Sequence, residues 1–230
     1  MPNWCNNFIE ISGTKSDMKP IYDFFKENND KMENFYKGVN KHMEEHPDDN
    51  RWDVIEKTKP DEVLVMNTLI PHDEEYDRIE KSGKFLLNPQ TEFYGTKWDF
   101  TFDGCNLNNV DEECITLAPS TAWSPPDKFC EKLAKKYNVN ITLQYEEGGV
   151  GFVGKEVYTN EGMVEQEFYE NYYEGLYYLD IDTFWSMVES ELENIEEDTT
   201  EEDFLKQFPY VGDADRKQLQ QEFQEYQKQI

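Results

Sequence analysis

The sequence lacks the features that identify membrane, secreted and metal-binding proteins. It has no run of about eighteen consecutive apolar residues, and its first residues have no basic segment followed by an apolar run. Its four cysteines have no C-x-x-C spacing and no partnered histidine, which argues against a zinc knuckle or a disulfide framework. We therefore expect a soluble, non-secreted protein with reduced, mostly buried thiols.

Sequence motifs for catalysis are also missing. The chain has no G-x-S-x-G nucleophile motif and no glycine loop before a helix that could hold phosphate. His42, Glu45 and His46 match the H-x-x-E-H zinc pattern, but Pro47 ends the predicted helix directly after the second histidine. The carboxylates at 198–203 lack the alternating ligands and the glycine of a calcium loop. We predict no enzyme activity, no cofactor and no bound metal.

Basic residues are absent from one long segment. Residues 156–205 contain seventeen Asp and Glu and no Lys, Arg or His, and the net charge of the whole chain is -28. The same segment is rich in aromatic residues, which argues for a folded structure because disordered segments have few of them. Fixed negative charge attracts a basic surface and repels phosphate. We predict a protein partner with a basic surface, and no direct binding to nucleic acid or membranes.

The hydrophobic pattern predicts an α+β fold with helices on one face of an antiparallel sheet. Ser124, Pro125 and Asp127 suit a helix start, because they can cap it, fit its first turn and favour its positive end. Residues 82–96 are typical of a loop. Strands are predicted at residues 8–12, 63–70, 98–102, 114–118, 141–145 and 151–158, and helices from residue 16 into a helical insertion at 26–60, at 73–81, and from 124 onward.

The chain changes character near residue 160, which predicts a core domain over 1–160 and an acidic, mainly helical C-terminal extension over 161–230. Residues 164–173 and 176–180 fit a hairpin added to the sheet edge, although their aromatic content also suits a helix. Further helices are predicted from Asp182 or Thr183, after a capping sequence at Thr199 and Thr200, and over 213–229.

Four short motifs occur in order over about the first 160 residues. They are residues 1–5 (MPNWC) with Asn7, 94–99 (YGTKWD), 121–126 (TAWSPP), and 145–148 (YEEG) followed by 151–154 (GFVG). Together they resemble the YubB ferredoxin-like family, small proteins of plasmids and bacteriophages whose activity is not established. The resemblance implies a ferredoxin-like core, a mobile-element origin and a location in the host cytoplasm. It implies no catalytic residues.

Lys97, Trp98, Trp123 and Tyr145 belong to these motifs and could form a ligand pocket. A lysine within an aromatic cluster bounded by glycines suits an anionic or planar ligand. Alternatively, Trp4, Trp98 and Trp123 each pack where strands meet helices, and their indole N–H groups bond to loop carbonyls. Both interpretations stay open, and the pocket would make the chain a small-ligand binding or sequestering protein.

The leading functional hypothesis is a non-enzymatic phage or plasmid protein. It would bind and inhibit a host protein, such as a defence nuclease, through an acidic surface that mimics DNA. The alternative is that the acidity only confers solubility. The residues predicted to bind the partner are Glu189, Glu191, Glu193, Glu196, Glu197, Asp198, Glu201, Glu202 and Asp203.

Overall fold

The computed structural model describes residues 3–85, 87–195 and 199–228. These residues form a sheet of seven strands, which confirms the α+β class predicted from the hydrophobic pattern. The strands are β1 (Trp4–Ser12), β2 (Leu107–Val110), β3 (Cys114–Leu117), β4 (Ser120–Ala122), β5 (Asn140–Glu147), β6 (Phe152–Thr159) and β7 (Gly162–Tyr169). Their order is β2-β3-β1-β5-β6-β7, and β4 pairs with β1.

The helices range from a single turn to the 31 residues of the first one. A short 3-10 helix, Phe102–Gly104, precedes β2. The α-helices in the described residues are α1 (Lys15–Glu45), α2 (Arg51–Thr58), α3 (Val65–Leu69), α4 (Glu74–Ser82), α5 (Pro89–Tyr94), α6 (Asp127–Tyr137), α7 (Tyr172–Leu179), α8 (Ile181–Glu193), α9 (Glu201–Leu205) and α10 (Asp213–Gln227). Among these residues, no helix is long and apolar enough to cross a bilayer.

Strand β1 lies in the middle of the sheet and pairs antiparallel with β3 and β4. Ile9 is opposite Leu117, and Cys5 is opposite Thr121. Side chains alternate along β1 between exposed positions such as Trp4 and buried positions, because successive residues of a strand point to opposite faces. One face of the sheet is therefore covered at β1, and the other is open to solvent.

The chain divides into two compact units. The first unit comprises residues 1–145 and 156–166, and the second comprises residues 146–155 and 167–230. In the first unit, α1 buries Met18, Ile21 and Phe25, which lie three or four residues apart on one stripe. Helix α6 likewise buries a stripe that includes Phe129, Cys130 and Leu133. These stripes supply the helical part of the first unit's core.

The second unit has its own hydrophobic cluster, in which four of the eleven buried residues are phenylalanines. Its helix starts are well capped: the side chain of Asp180 accepts a bond from the N–H of Thr183, and that of Thr200 from the N–H of Asp203. The predicted capping sequence before α9 is thus confirmed. The buried members of the cluster are Val153, Leu176, Phe184, Val188, Leu192, Phe204, Leu205, Phe208, Val211, Leu219 and Phe223.

Two strands predicted in the first half of the chain are wrong. Residues 63–70 contain helix α3, and residues 98–102 run as an irregular segment into the 3-10 helix, with one bridge between Leu64 and Thr101. The carboxylate of Asp99 accepts bonds from the N–H groups of Met66 and Asn67, at 2.9 and 2.8 Å, and so stabilises the start of α3. A short apolar run has the same hydrophobic pattern in a buried helix as in a buried strand.

Three further predictions need correction. Residues 82–96 contain the short helix α5, capped by Asn88, rather than loop alone. Ser124 does not cap α6: that helix begins at Asp127 after Pro126, and the Ser124 hydroxyl bonds elsewhere. The hairpin alternative for 164–180 is wrong in its second half, because Tyr172–Leu179 is helix α7, whereas the first half is indeed strand β7.

Candidate functional site

Three of the four sequence motifs converge at one end of β1. Trp4 begins this strand and pairs with Ala122, the residue before Trp123, while the Trp4 and Trp98 ring centroids are 6.2 Å apart. Trp4, Trp98 and Trp123 are exposed by 52%, 42% and 40% of their surface. We refer to these three side chains as the tryptophan surface. They are half-exposed rather than packed into the core.

Trp123 has an unusual backbone conformation. Its φ angle is +74°, in the left-handed region that bulky residues rarely adopt. Its N–H donates to the carbonyl of Asn3 at 2.9 Å, which ties this loop to the start of β1. A residue held in such a conformation costs about 1 to 3 kcal/mol, and such residues cluster at functional sites. The surrounding structure therefore holds Trp123 in place against a local energetic preference.

A buried polar network lies beneath the tryptophan surface. The side-chain nitrogen of Asn7 lies 2.9 Å from each of three acceptors, the carbonyl oxygens of Cys5 and Pro119 and the hydroxyl of Thr121. The Thr121 hydroxyl donates in turn to the carbonyl of Ser124 at 2.8 Å. Because buried polar groups are costly when unpaired, a network with these partners fixes the backbone on which Trp123 sits.

The loop that carries Trp98 is attached to the same backbone. The buried hydroxyl of Thr96 donates to the carbonyl of Ala122 at 3.0 Å, and the hydroxyl of Ser124 donates to the carbonyl of Gly95 at 2.6 Å. Gly95 has φ of +92°, and a Cβ there would lie 1.8 Å from a carboxylate oxygen of Asp127. Only glycine fits at this contact.

Asp127 sits at the first position of α6, directly over Gly95. Burial raises the pKa of its carboxyl group to about 6, opposed by a bond from the N–H of Lys128 and reinforced by the charge of Glu156. The protein therefore holds two acidic groups close to the helix start. Sequence reasoning identified Asp127 as favourable to the helix but did not predict its contact with Gly95.

Tyr145 belongs to a different environment from the three tryptophans. Its hydroxyl donates to the buried carboxylate of Glu156 at 3.0 Å, and Tyr158 donates to the other carboxylate oxygen. Gln166 also donates to Glu156, at 3.1 Å. Burial, followed by the charge of Glu156, raises the pKa of Tyr145 well above its ordinary value. This carboxylate has enough donors to be stable where it is, and Tyr145 lies in the protein interior.

The four residues of the predicted pocket are thus only partly brought together. The amino group of Lys97 lies 4.8 Å from the ring centre of Trp98, a cation–π contact. Tyr145 faces Glu156 instead, and Trp4, which the predicted pocket did not include, is next to Trp98. The alternation of β1 could have identified Trp4 as exposed, whereas the buried network under it has no sequence signal.

The acidic residues predicted to bind a partner lie on α8 and α9, apart from three. Glu196, Glu197 and Asp198 fall outside the described residues. Several of the others bond within the second unit. Glu191 accepts from the hydroxyl of Tyr173 at 2.6 Å, Glu201 accepts from Gln220 and Gln224, and Glu202 and Asp203 pair with Lys206.

One line of carboxylates remains on the solvent side of α8. Asp182, Glu189 and Glu193 are exposed and lie seven and four residues apart, which places them along one face. The buried residues of the same helix, Phe184 and Val188 among them, lie on the opposite side. We call these three carboxylates the acidic stripe. Asp182 was not among the predicted partner-binding residues.

The histidines and cysteines have ordinary structural environments. The His42 ring nitrogen bonds to Asp49 at 2.8 Å, and the His42 and His46 rings are 4.7 Å apart. Within the described part of the chain, no group of three or more His, Cys, Asp or Glu could hold a metal ion. Burial raises the pKa of the Cys105 thiol to about 12 and that of Cys130 well above its usual value, so both are protonated at neutral pH.

A family model supports the ferredoxin-like fold for part of the chain. Residues 93–183 match the family model described as the ferredoxin-like domain in Api92-like protein. The chain is also similar to the crystal structure of the protein api92 from Yersinia pseudotuberculosis. In that comparison the identity is 13% and the TM-score is 0.43, and the match covers 74% of this chain and 98% of the other. No curated protein matches.

Proposed function

We propose that this chain is a non-enzymatic protein that binds a host protein through the acidic surface of its second unit and inhibits it. The four motifs that resemble the YubB family support an origin in a phage or plasmid, and with it action in the host cytoplasm. The partner is a protein with a basic surface, such as a nucleic-acid-binding or defence protein. Neither a direct contact with nucleic acid nor one with membranes fits a net charge of -28.

The acidic stripe is the main observation that supports this proposal. Its three carboxylates are exposed on one side of a helix whose other side is anchored in the core, so they keep a fixed spacing. Residues 156–205 contain no Lys, Arg or His that could neutralise the stripe from within that segment. A rigid array of one sign attracts a basic surface, and the attraction decreases as salt is added.

A more specific form of the proposal is that the acidic stripe mimics DNA. The spacing of its carboxylates can be compared with the spacing of DNA phosphates. From Asp182 to Glu193 the helix rises about 16 Å, so its three carboxylates are spaced by about 8 Å on average. One strand of B-DNA has about one phosphate per 3.4 Å. The acidic stripe alone is therefore sparser than a DNA strand, and mimicry requires added charge. Glu202 and Asp203 on α9 supply one net negative charge, because the two carboxylates share the single Lys206. Binding to a basic protein surface does not require that match.

The proposal is tested by capture from the lysate of the natural host, with washes from about 0.1 to about 1 M salt, over which the screening length falls from about 10 to about 3 Å. Three versions of the full chain are compared: wild type, a stripe variant (Asp182→Asn, Glu189→Gln, Glu193→Gln), and a matched control. The control neutralises three exposed carboxylates of the first unit, Glu44→Gln, Asp48→Asn and Glu56→Gln.

We expect one host protein to be retained by wild type and by the control, released by salt, and lost with the stripe variant. If all three versions retain the same proteins, the stripe is not the binding surface. If none retains a specific protein, the acidity acts as a solubilising feature, which is the competing interpretation of the same residues.

The tryptophan surface supports a second candidate function, the binding of a small planar ligand. Three half-exposed indoles, one of them held at a positive φ, lie on a rigid polar network and next to a lysine. Aromatic rings bind planar or cationic groups by stacking and cation–π contacts. The geometry is that of an open surface, so the ligand would be held against the rings rather than enclosed.

A small-molecule screen by thermal shift tests this second function, with Trp98→Leu as the variant. Trp52→Leu is the matched control, because Trp52 is an exposed tryptophan on α2, away from the three motifs. A ligand of the surface raises the melting temperature of wild type and of the Trp52 variant, but not that of the Trp98 variant. A ligand that stabilises all three proteins equally binds elsewhere.

A further inference from the structure

The two edges of the sheet differ in how well they are protected. Strand β2 at one edge has only four residues, and its register against β3 shifts between Leu107 and Asn109. Short and irregular edge strands are poor templates for another strand. Strand β7, at the other edge, has eight residues and pairs with β6, and within the described residues no strand lies on its other side.

The first five residues of β7, 162–166, belong to the first unit, and all of them except Gly162 are exposed. Met163 and Val164, neighbours that point to opposite faces, are 48% and 60% exposed. Natural edge strands commonly have lysine or proline to prevent pairing with other chains, and β7 contains neither. Its outer N–H and C=O groups, with apolar side chains on both faces, match what an added strand requires.

The charge around this edge indicates what kind of strand it accepts. Glu161 precedes β7 and Glu165 lies within it, both exposed, and Gln166 bonds to the buried carboxylate of Glu156. The whole strand falls in the segment that has no Lys, Arg or His. Like charges directly opposite each other destabilise a strand pair, so a second copy of this chain is a poor partner. A strand with basic residues is a good one.

We propose that β7 binds an extended, basic segment of a partner protein as an additional strand of the sheet. Backbone hydrogen bonds to residues 162–166 hold the segment. β-Branched side chains of the partner contact Val164 on one face, and its Lys or Arg side chains lie on the other face, where their aliphatic parts contact Met163 and their charges lie beside Glu161 and Glu165. This binding mode does not involve the acidic stripe on α8. Failure of strand binding at β7 would therefore leave the function proposed for that stripe unaffected, and failure of that function would leave strand binding unaffected.

The test uses the full chain and a defined probe, a capped octapeptide of alternating valine and lysine. Binding is measured by titration calorimetry, and the site is located by the backbone amide signals and hydrogen exchange of the labelled protein. A second peptide of the same sequence is N-methylated on two adjacent central residues. This change keeps the charge but removes one N–H from each edge of the peptide, which blocks strand pairing on either side.

We expect the unmodified peptide to slow exchange at amides within 162–166 and to bind at least about tenfold more tightly than the methylated one. Equal binding of the two peptides overturns the proposal, because attraction by charge alone does not need the N–H groups. Perturbed signals confined to α8, or binding of neither peptide, overturn it too. A dimer that pairs through β7 in the absence of peptide would show that a second copy is the occupant instead.

Charge reversal provides a second test. Glu161→Lys, at an exposed position beside the start of β7, places a positive charge beside the expected lysines, so the affinity for the unmodified peptide should fall at least about fivefold. Glu44→Lys makes the same change of charge at an exposed position of α1, outside the proposed binding site. It should alter the affinity for the peptide less than about twofold, because salt screens the charge at that position from the peptide. If the two variants weaken binding equally, the peptide responds to overall charge and not to the edge.

Discussion

The two units of this protein satisfy their carboxylates in different ways. In the first unit many acidic side chains pair with a lysine one helical turn away. In the second, tyrosine hydroxyls donate to several of them: Tyr172 to Glu146, Tyr173 to Glu191 and Tyr177 to Asp215, at 2.6 to 2.7 Å. Exceptions are Glu156 in the first unit, which accepts from two tyrosines, and Glu202 and Asp203 in the second, which pair with Lys206. The lysine pairs of this kind in the described part of the first unit include Lys19–Asp23, Lys26–Asp30, Lys31–Glu27, Lys37–Glu33, Lys41–Glu45, Lys81–Asp77 and Lys135–Glu131.

The difference shows how a folded unit can remain strongly acidic. A lysine neutralises the carboxylate it pairs with, whereas a tyrosine hydroxyl satisfies it and leaves the negative charge in place. The tyrosine ring also contributes apolar area to the core around Phe184 and Phe208. The second unit is thus stabilised by aromatic packing and neutral donors, and its charge remains available for a partner.

If aromatic packing stabilises the second unit, removing one central ring should have the largest effect. Phe184 is fully buried and contacts the rings of Tyr177, Trp185 and Phe208. We expect Phe184→Ala to lower the free energy of unfolding by about 3 to 5 kcal/mol in urea denaturation. Phe168→Ala, at a half-exposed ring, is the control and should have a much smaller effect. Equal losses would show that burial does not decide the stability of this unit.

The first unit depends on buried hydrogen bonds, and a substitution of Asn7 tests how much they contribute to its stability. Asn7→Leu keeps a similar volume but removes the donor shared by Pro119 and Thr121. Leaving such groups unpaired should lower the free energy of unfolding by about 1 to 3 kcal/mol. Tryptophan emission should also shift, because the network holds the backbone of Trp123. An unchanged stability and spectrum would mean that the network does not support the tryptophan surface.

A tyrosine hydroxyl should have a smaller effect, and one that depends on pH. Tyr173→Phe removes the bond to Glu191 and should lower the free energy of unfolding by about 1 kcal/mol at neutral pH. Burial, and then the bond to Glu191, raises the pKa of Tyr173 from 10.0 to about 12. The folded state therefore holds this proton more tightly, and its stabilising effect is lost as pH rises from about 10 to about 12.

Urea denaturation of wild type and Tyr173→Phe between about pH 10 and about pH 12 checks the direction of this pH dependence. The difference between the two proteins should shrink steadily above pH 10, as the unfolded tyrosine ionises. A difference that grows with pH would contradict the proposed role of the hydroxyl as a donor to Glu191.

Removing a surface ion pair of the first unit should have the smallest effect on the free energy of unfolding. The Nζ atom of Lys19 and the Oδ2 atom of Asp23 are 2.8 Å apart on the exposed side of α1, where water and salt screen the pair. We expect Lys19→Gln to leave the midpoint of urea denaturation almost unchanged. A loss as large as that of Tyr173→Phe would remove the distinction between ion pairs and hydroxyl donors on which the comparison of the units depends.

Local patterns predicted most elements correctly, and long-range contacts account for some of the errors. The capping sequence at Thr200, the start of α10 at Asp213 and the alternation of β1 are short-range signals, and the structure confirms them. Helix α3 was missed because its start is stabilised by Asp99, more than thirty residues away. Likewise, only the folded chain brings Asn7 to Thr121 and Gly95 to Asp127.

The proposed function depends most on the acidic stripe as a binding surface. Its direct test is the equilibrium affinity of the captured host protein for wild type, for the Asp182→Asn, Glu189→Gln, Glu193→Gln variant, and for the control variant of the first unit. We predict that the stripe variant binds at least about tenfold more weakly, a loss of about 1.4 kcal/mol or more, and that the control stays within about twofold of wild type. Equal affinities for all three proteins would contradict the account.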